Sequence, residues 1–484
     1  MSRLDVLQAM YVEKRLCIDT WESNTPDKAR HQGHLYSDKA PGTAALALPA
    51  FAAAAGIASS QGVEPDSKTG WLVTSWTACA FSQGLPVAIG AAAMFGWLRR
   101  FVRARAALLT IVALTLGSLP LPYATLLFSH AQVIGLVGIA IWALGLYPEH
   151  EELCLPGRRP RSGTAAWRMG LAGFCLGLAL ASEYTAGIVV GALVVSVLVR
   201  QWREARVLEA RNGAKEFDSS GLKASSGASE CGPPAVRLRP LVGFFVAAIP
   251  PLLLIPAYSW ATIGTPFDLP YSYQASFPEM KEGLYAIKWP DAENLGRLLI
   301  GPTRGLIFWT PFLIMAGFGW WWIAGERPRW LWLTYAVPVL HMLVISGRVW
   351  DWQAGYTVSA RYMAPIIPLL ALRCAIGTQR WPKLGATLAL VSIGLMTLAT
   401  ITDACPDSRF YNPLTELHIP KLLRGEFSYT LGTEVFGLNP WVSVGLYYAI
   451  LIGGIAWLWR LAGQADAQAT KDAPVKLGQP RGAE

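Results

Sequence analysis

Apolar runs long enough to cross a bilayer recur along this chain, and they constrain its fold more than any other feature. "LLTIVALTLGSLPLPYATLLF" and "GFFVAAIPPLLLIPAYSWATIG" are two of them. Each can cover the hydrocarbon thickness of about 30 Å as a helix, the secondary structure that satisfies its own backbone in lipid. Composition agrees: 53% of the 484 residues are hydrophobic, only 15% are charged, and 21 are Trp, a residue favoured at membrane–water boundaries. The expected fold is an all-α polytopic membrane protein.

Basic loops orient the spans. The formal net charge of +9 comes largely from short basic segments such as "RRFVRAR", where Arg99, Arg100, Arg103 and Arg105 stand without an acid. Cytoplasmic loops carry such an excess. No basic patch is interleaved with base-stacking aromatics, so nucleic acid is not an expected partner. Eleven spans follow, near 71–97, 106–128, 129–147, 168–182, 185–199, 240–261, 305–324, 330–346, 363–379, 384–401 and 441–460. The organisation is an extracytoplasmic first loop (1–70), a first bundle part (71–199), a disordered cytoplasmic loop (200–239, around "SSGLKASSGASECGPP"), a second bundle part (240–461) and a disordered cytoplasmic tail (462–484). The second part carries the outer loops 264–304, 347–362 and 402–440. The run 43–60 is Ala-rich and contains Pro49 and Gly56, so it is expected to be interfacial or re-entrant. The seven Cys and six His show no CxxC and no His pair at metal spacing, so neither a structural metal nor a cofactor is expected.

The outer loops hold the candidate chemistry. The first contains Asp5, Asp27 and Asp38 with Arg3 and Lys39 nearby, and "DVLQAMYVEKRL" has apolar positions at amphipathic-helix spacing. "GPTRGLIFWTP" places Arg304 at the start of a span, and "GRVWDWQAGYTVSARYMAP" places Arg348, Asp351 and Arg361 among Trp350, Tyr356 and Tyr362. Cations on the outer side run against the charge bias of membrane loops. An anionic partner explains Arg304 and Arg361, since arginine binds phosphate through a bidentate fork. Aromatic faces and carboxylates suit a sugar, with Tyr36, Trp350, Asp351 and Tyr362 as lining candidates. Transfer of a sugar from a polyprenyl phosphate needs a carboxylate to deprotonate the acceptor hydroxyl and cations to stabilise the departing phosphate. These loops hold both.

Five stretches carry a family resemblance: "SRLDVLQAMYVEKRLCID", "GHLYSDKAPGTAALALP", "PTRGLIFWTPFLI", "SARYMAPIIPLLAL" and "PLTELHIPKLLRGEF". With them the chain resembles the GT-C superfamily of membrane glycosyltransferases that use phospholipid-linked sugars, the group of the protein mannosyltransferases and the lipid A aminoarabinose transferase. The resemblance implies a GT-C helical bundle with juxtamembrane helices in the first extracytoplasmic loop. It implies that Lys39 contacts the donor phosphate, with Pro41 and Gly42 fixing the turn that follows. Arg3 matches the arginine a few residues after the family's catalytic acid. That acid falls at or before Met1, and the span that normally precedes it is missing. Either the chain starts late or another carboxylate serves, with Asp5, Asp27 and Asp38 the nearest.

The expected function is inverting transfer of a sugar from a polyprenyl-phosphate donor to a lipid, glycan or protein acceptor. A carboxylate acts as base and Arg3, Lys39, Arg304 and Arg361 clamp the phosphate, on the outer side of a bacterial cytoplasmic membrane. The alternatives are a lipid-linked sugar transporter or flippase, which requires charges along a path through the bundle, and an inactive truncated relative.

Overall fold

The computed structural model describes residues 1–145, 162–218, 235–277, 286–320, 332–348 and 352–471. They form an all-α polytopic protein with a single two-stranded antiparallel sheet among the described residues. Among the described residues, six helices are long and apolar enough to cross a membrane: Gly42–Ser60, Lys68–Leu98, Tyr184–Trp202, Pro240–Ile263, Pro382–Thr402 and Pro440–Ala469. Four shorter apolar helices among the described residues, Ala104–Leu116, Ser129–Leu144, Ala166–Ser182 and Trp332–Ser346, pack with them. The run 43–60, expected to be interfacial or re-entrant, lies within an unbroken 19-residue helix, Gly42–Ser60, despite Pro49.

Several expected spans are cut, and proline is the cause. The span expected at 106–128 stops at Leu116, and the chain restarts as the short helix Pro120–Ala124. Pro120 and Pro122 have no N–H to continue the ladder. The span expected from 305 breaks into Leu306–Trp309, Pro311–Leu313 and Ile314–Phe318. There the Phe312 N–H donates to Ser392 Oγ at 2.9 Å, and the Trp309 indole N–H donates to the Pro302 carbonyl at 3.2 Å. Such side-chain partners make an interrupted backbone tolerable at membrane depth. The loop expected at 200–239 is shorter than its composition implies, because one helix runs Gly187–Asp218 and the next begins at Ala235. Residues 219–234 lie outside the described residues, as does the tail beyond the helix Pro440–Lys471.

Helix Ala235–Ile263 keeps four internal prolines and packs along Ser162–Ser182. Glycine makes that approach close: a Cβ on Gly177 would stand 2.8 Å from the Ala248 carbonyl. Leu85–Leu98 and Ser129–Leu144 meet in the same way, since a Cβ on Gly90 would lie 2.7 Å from Gly135 Cα. Small residues let helices pack where lipid removes the hydrophobic drive between them.

Candidate functional site

The N-terminal segment packs onto the bundle. Helix Ser2–Gln8 is buried along its length, with Leu4 and Leu7 against Ala47, Phe51 and Ala55, and Val6 against Ile18 and Leu35. Strands β1 (Lys28–His31) and β2 (His34–Ser37) form a hairpin whose two-residue turn, Gln32–Gly33, has φ of 49° and 85°. Two positive φ values define the tight turn that matches strand twist. Distant segments tie the hairpin down: the Tyr258 hydroxyl donates to the Ser37 carbonyl at 2.9 Å, and Ala275 N–H to the Lys28 carbonyl at 2.8 Å. Asp38 and Lys39 follow directly, then Pro41 caps helix Gly42–Ser60. A Cβ on Gly42 would lie 2.6 Å from Ser182 Oγ and 2.8 Å from the Ala181 carbonyl. Only glycine lets this helix start against the end of another.

Charged groups converge here. Lys39 Nζ is 3.0 Å from Asp27 Oδ1 and 3.4 Å from Asp38 Oδ1, and 5.4 Å above the Tyr271 ring. Gln274 Nε2 donates to Asp38 Oδ2 at 2.7 Å. The Arg361 guanidinium lies 4.9 Å from the Phe128 ring centre and 5.5 Å from that of Tyr362, and it acts electrostatically on Asp27. Glu183, in the turn after helix Ser162–Ser182, accepts from Ser129 Oγ at 2.6 Å and has His130 Nδ1 at 3.8 Å. Arg3 donates to Ser129 Oγ at 3.3 Å and the Ser182 carbonyl at 3.5 Å, on the same side. Lys39 and Asp27 keep side-chain exposures of 16% and 28%, although protein closely surrounds both. Groups on the floor of a recess have that combination.

The recess sets the protonation states. Burial opposes charge on Asp27, but Lys39 outweighs it and holds the carboxyl below its usual range. Burial likewise opposes charge on Lys39, and Asp27 and then Asp38 hold it well above the usual lysine value. Asp38 is fully enclosed, and burial pushes it up to about 6 despite Lys39. Asp5 is also pushed up to about 6 by burial, with the hydrogen bond from Asn24 pulling the other way. Asp27 is therefore the solvent-reachable member of the three carboxylates singled out in the sequence, and the one whose pKa is held low.

Not every expected residue joins them. Arg304 is fully buried and spends its guanidinium on backbone carbonyls, of Thr303 at 2.9 Å, Gly355 at 3.0 Å and Pro406 at 3.3 Å. It braces two loops beside Arg361 and does not face the recess as a phosphate ligand would. Arg348 is 5% exposed and stacks 4.7 Å from Tyr362, so it does not reach toward solvent. Tyr36 sits on β2 opposite Ala29, nearest Cys17 and Asp19, at the edge of the cluster. Tyr362 stands edge-on to His130 with Arg361 over its ring, while Trp350 and Asp351 lie outside the described residues. Sequence reasoning missed Gln274, Tyr271 and His130 as neighbours of the charged groups. It gave Glu183 no role in the site. Its one signal was an acid standing alone between two apolar runs, "ALASEYTAG".

No protein-family model matches the chain, and no curated protein matches its sequence. Two solved structures are similar, both of ArnT from Cupriavidus metallidurans. The one bound to undecaprenyl phosphate is 14% identical, with 96% of this chain and 72% of that chain covered and a TM-score of 0.45. The apo structure has the same identity and coverage and a TM-score of 0.42.

Proposed function

We propose that this chain is an integral membrane glycosyltransferase that moves a sugar from a polyprenyl-phosphate donor to an acceptor hydroxyl outside the cytoplasmic membrane. The observation that carries the reading is Arg361. It stands between aromatic faces, its Nε is buried without a partner, and no carboxylate among the described residues comes within ion-pair distance of it. Arg361 lies beside the Asp27–Lys39 pair, brought from a distant part of the chain. A lipid phosphate seated between Arg361 and Lys39 satisfies that guanidinium with charge-assisted hydrogen bonds.

The chemistry follows from this arrangement. Phosphate departs with the electron pair of the glycosidic bond, and Lys39 and Arg361 stabilise the charge that develops on it. Phosphate is a good leaving group, so no separate acid is required. Asp27 takes the proton from the acceptor hydroxyl as that oxygen bonds to the anomeric carbon from the opposite face, which inverts its configuration. In the donor-free arrangement Asp27 is paired with Lys39 and not a sugar ring away from it. Drawing Lys39 onto the phosphate frees the carboxylate and raises its basicity, so donor binding itself arms the base. Arg304 braces the loops around Gly355 and Pro406 and takes no part in the chemistry.

Transport without transfer calls for charges along a path through the bundle. Arg373, the charge deepest in a helix, instead donates to the Thr334 carbonyl at 3.2 Å and stacks on Trp320 and Tyr335. The test incubates membranes holding the full chain with a polyprenyl phosphate carrying a radiolabelled sugar. The expected result is labelled acceptor with inverted anomeric configuration, lost in Lys39→Ala. Label crossing the membrane while still on its carrier overturns the reading. Orientation is checked separately by an impermeant thiol reagent on intact cells. Phe267→Cys, at a 91% exposed position, should label, and Arg99→Cys should not.

A further inference from the structure

Cys17, Asp19 and His34 offer a thiol, a carboxylate and an imidazole whose ligand atoms all lie within 4.8 Å of one another. We propose that these three side chains bind a divalent transition metal of the zinc type, which clamps the hairpin to the segment before it. The proposal does not rest on the glycosyltransferase reading.

Zinc–ligand bonds of about 2.0–2.3 Å at tetrahedral angles put ligand atoms roughly 3.3–3.8 Å apart. The present spacing therefore closes on an ion with side-chain shifts of about an ångström. The cluster is held in place from outside, as ligands need to be. Asp19 Oδ1 accepts from the Leu35 N–H at 2.7 Å, which orients the carboxylate and leaves Oδ2 toward His34 Nδ1 at 2.8 Å. Ile18, the residue between the two ligands on one strand of chain, donates its N–H to the Leu35 carbonyl at 2.7 Å. Those two bonds lock Cys17–Asp19 against His34–Leu35. Cys17 is buried while His34 is exposed, which gives a packed sulfur and an open route for the ion.

The donor set selects the metal. Thiolate with imidazole favours zinc and similar ions, whereas magnesium and calcium take all-oxygen sites. Binding removes the Cys17 thiol proton to solvent and replaces the proton shared by Asp19 and His34. Three protein donors leave one position for water. The spacing, Cys-x-Asp followed by His fifteen residues after the Asp, matches no familiar motif, so only the hairpin makes it a site. That hairpin ends at Ser37, one residue before Asp38 and Lys39, and the clamp thus stiffens the segment that presents them.

Full-length protein in detergent, stripped with a chelator, is titrated with cobalt(II) and followed by absorbance. One equivalent per chain should give a thiolate-to-cobalt charge-transfer band, which zinc then displaces. Cys17→Ser should abolish the band, and His34→Ala, at an exposed position that does not endanger folding, should weaken binding by about tenfold or more. Cys405→Ser, a control on another thiol, should bind as the parent does. Absence of a stoichiometric band in the parent protein overturns the proposal. So does binding that survives both Cys17→Ser and His34→Ala unchanged.

Discussion

Arg304 and Arg361 reach the same corner of the molecule and do opposite things there. Both come from loops at the start of apolar segments, and Arg361 acts electrostatically on Arg304. Arg304 is fully buried and hydrogen-bonded to three carbonyls, which between them close the loops around Gly355 and Pro406. Arg361 is partly exposed, flanked by Phe128 and Tyr362, and keeps an unpartnered Nε beside Asp27. The difference teaches how to separate a structural cation from a ligand-binding one in a membrane protein. The Nε of each is without a partner, so the distinction lies at the terminal nitrogens, which backbone oxygens occupy in Arg304 and ring faces flank in Arg361.

The largest expected effect is at the base. Asp27→Asn keeps the shape of the carboxylate but cannot accept a proton, and turnover should fall by about 10²-fold or more. Glu183→Gln, measured in the same transfer assay, is the comparison: a loss confined to Glu183→Gln moves the base to the turn after Ser182. Next comes Arg361→Ala. Loss of a charge-assisted phosphate contact costs about 1.5–3 kcal/mol, roughly ten- to a hundred-fold in rate, with folding intact by thermal melting.

Arg304→Leu should reverse that pattern. It leaves the Gly355 and Pro406 carbonyls without their donor and lowers stability by about 1–3 kcal/mol. Turnover per folded molecule should change little. Equal losses of turnover in the two arginine variants would erase the distinction between them.

The smallest effect is in the pH dependence. The folded-state pKa of Asp5 is raised to about 6 by burial, so the folded state binds this proton where the unfolded chain, near 3.9, has released it. Stability should therefore fall as pH rises from about 4 to about 6. Asp27, whose pKa is depressed, acts with the opposite sign, contributing stability that is lost as pH falls below the usual carboxylate range. Asp5→Asn should reduce the downward slope between pH 4 and 6 in detergent melting curves, leaving the share that Asp38 contributes. An unchanged slope would mean that Asp38 carries it.

Much of the bundle was legible because lipid allows so few solutions. The segments 71–97, 240–261 and 384–401 emerge as helices close to their expected bounds, Lys68–Leu98, Pro240–Ile263 and Pro382–Thr402. The cut spans were harder to read. Pro120 breaks its segment and Pro250, Pro251 and Pro256 do not break theirs, although hydropathy treats them alike. A neighbouring hydroxyl or a glycine-lined groove decides whether a lost backbone bond can be borne. Of the candidate site, Lys39, Asp27 and Arg361 were legible as charges where membrane loops rarely keep them. Arg304 was legible for the same reason and does a different job, because composition does not say what a guanidinium will touch. The β hairpin left only a weak trace, Gln32–Gly33 between short polar runs, and its strands are held by Tyr258 and Ala275 from far along the chain.

The amino-acid sequence by itself determined that this chain is a multi-pass helical protein with acid, lysine and arginine in its loops. Hydrocarbon admits long apolar helices and rejects stray charge, and both preferences are written locally. Tertiary structure alone decided which charges meet. Asp27 and Lys39 are close in sequence, but Arg361 joins them only because helix Ser129–Leu144 and the turn Arg361–Ile366 pack together, which sets Phe128 and His130 beside Arg361 and Tyr362. Such contacts depend on how whole helices seat against one another, where glycines such as Gly42 permit an approach that no local pattern announces.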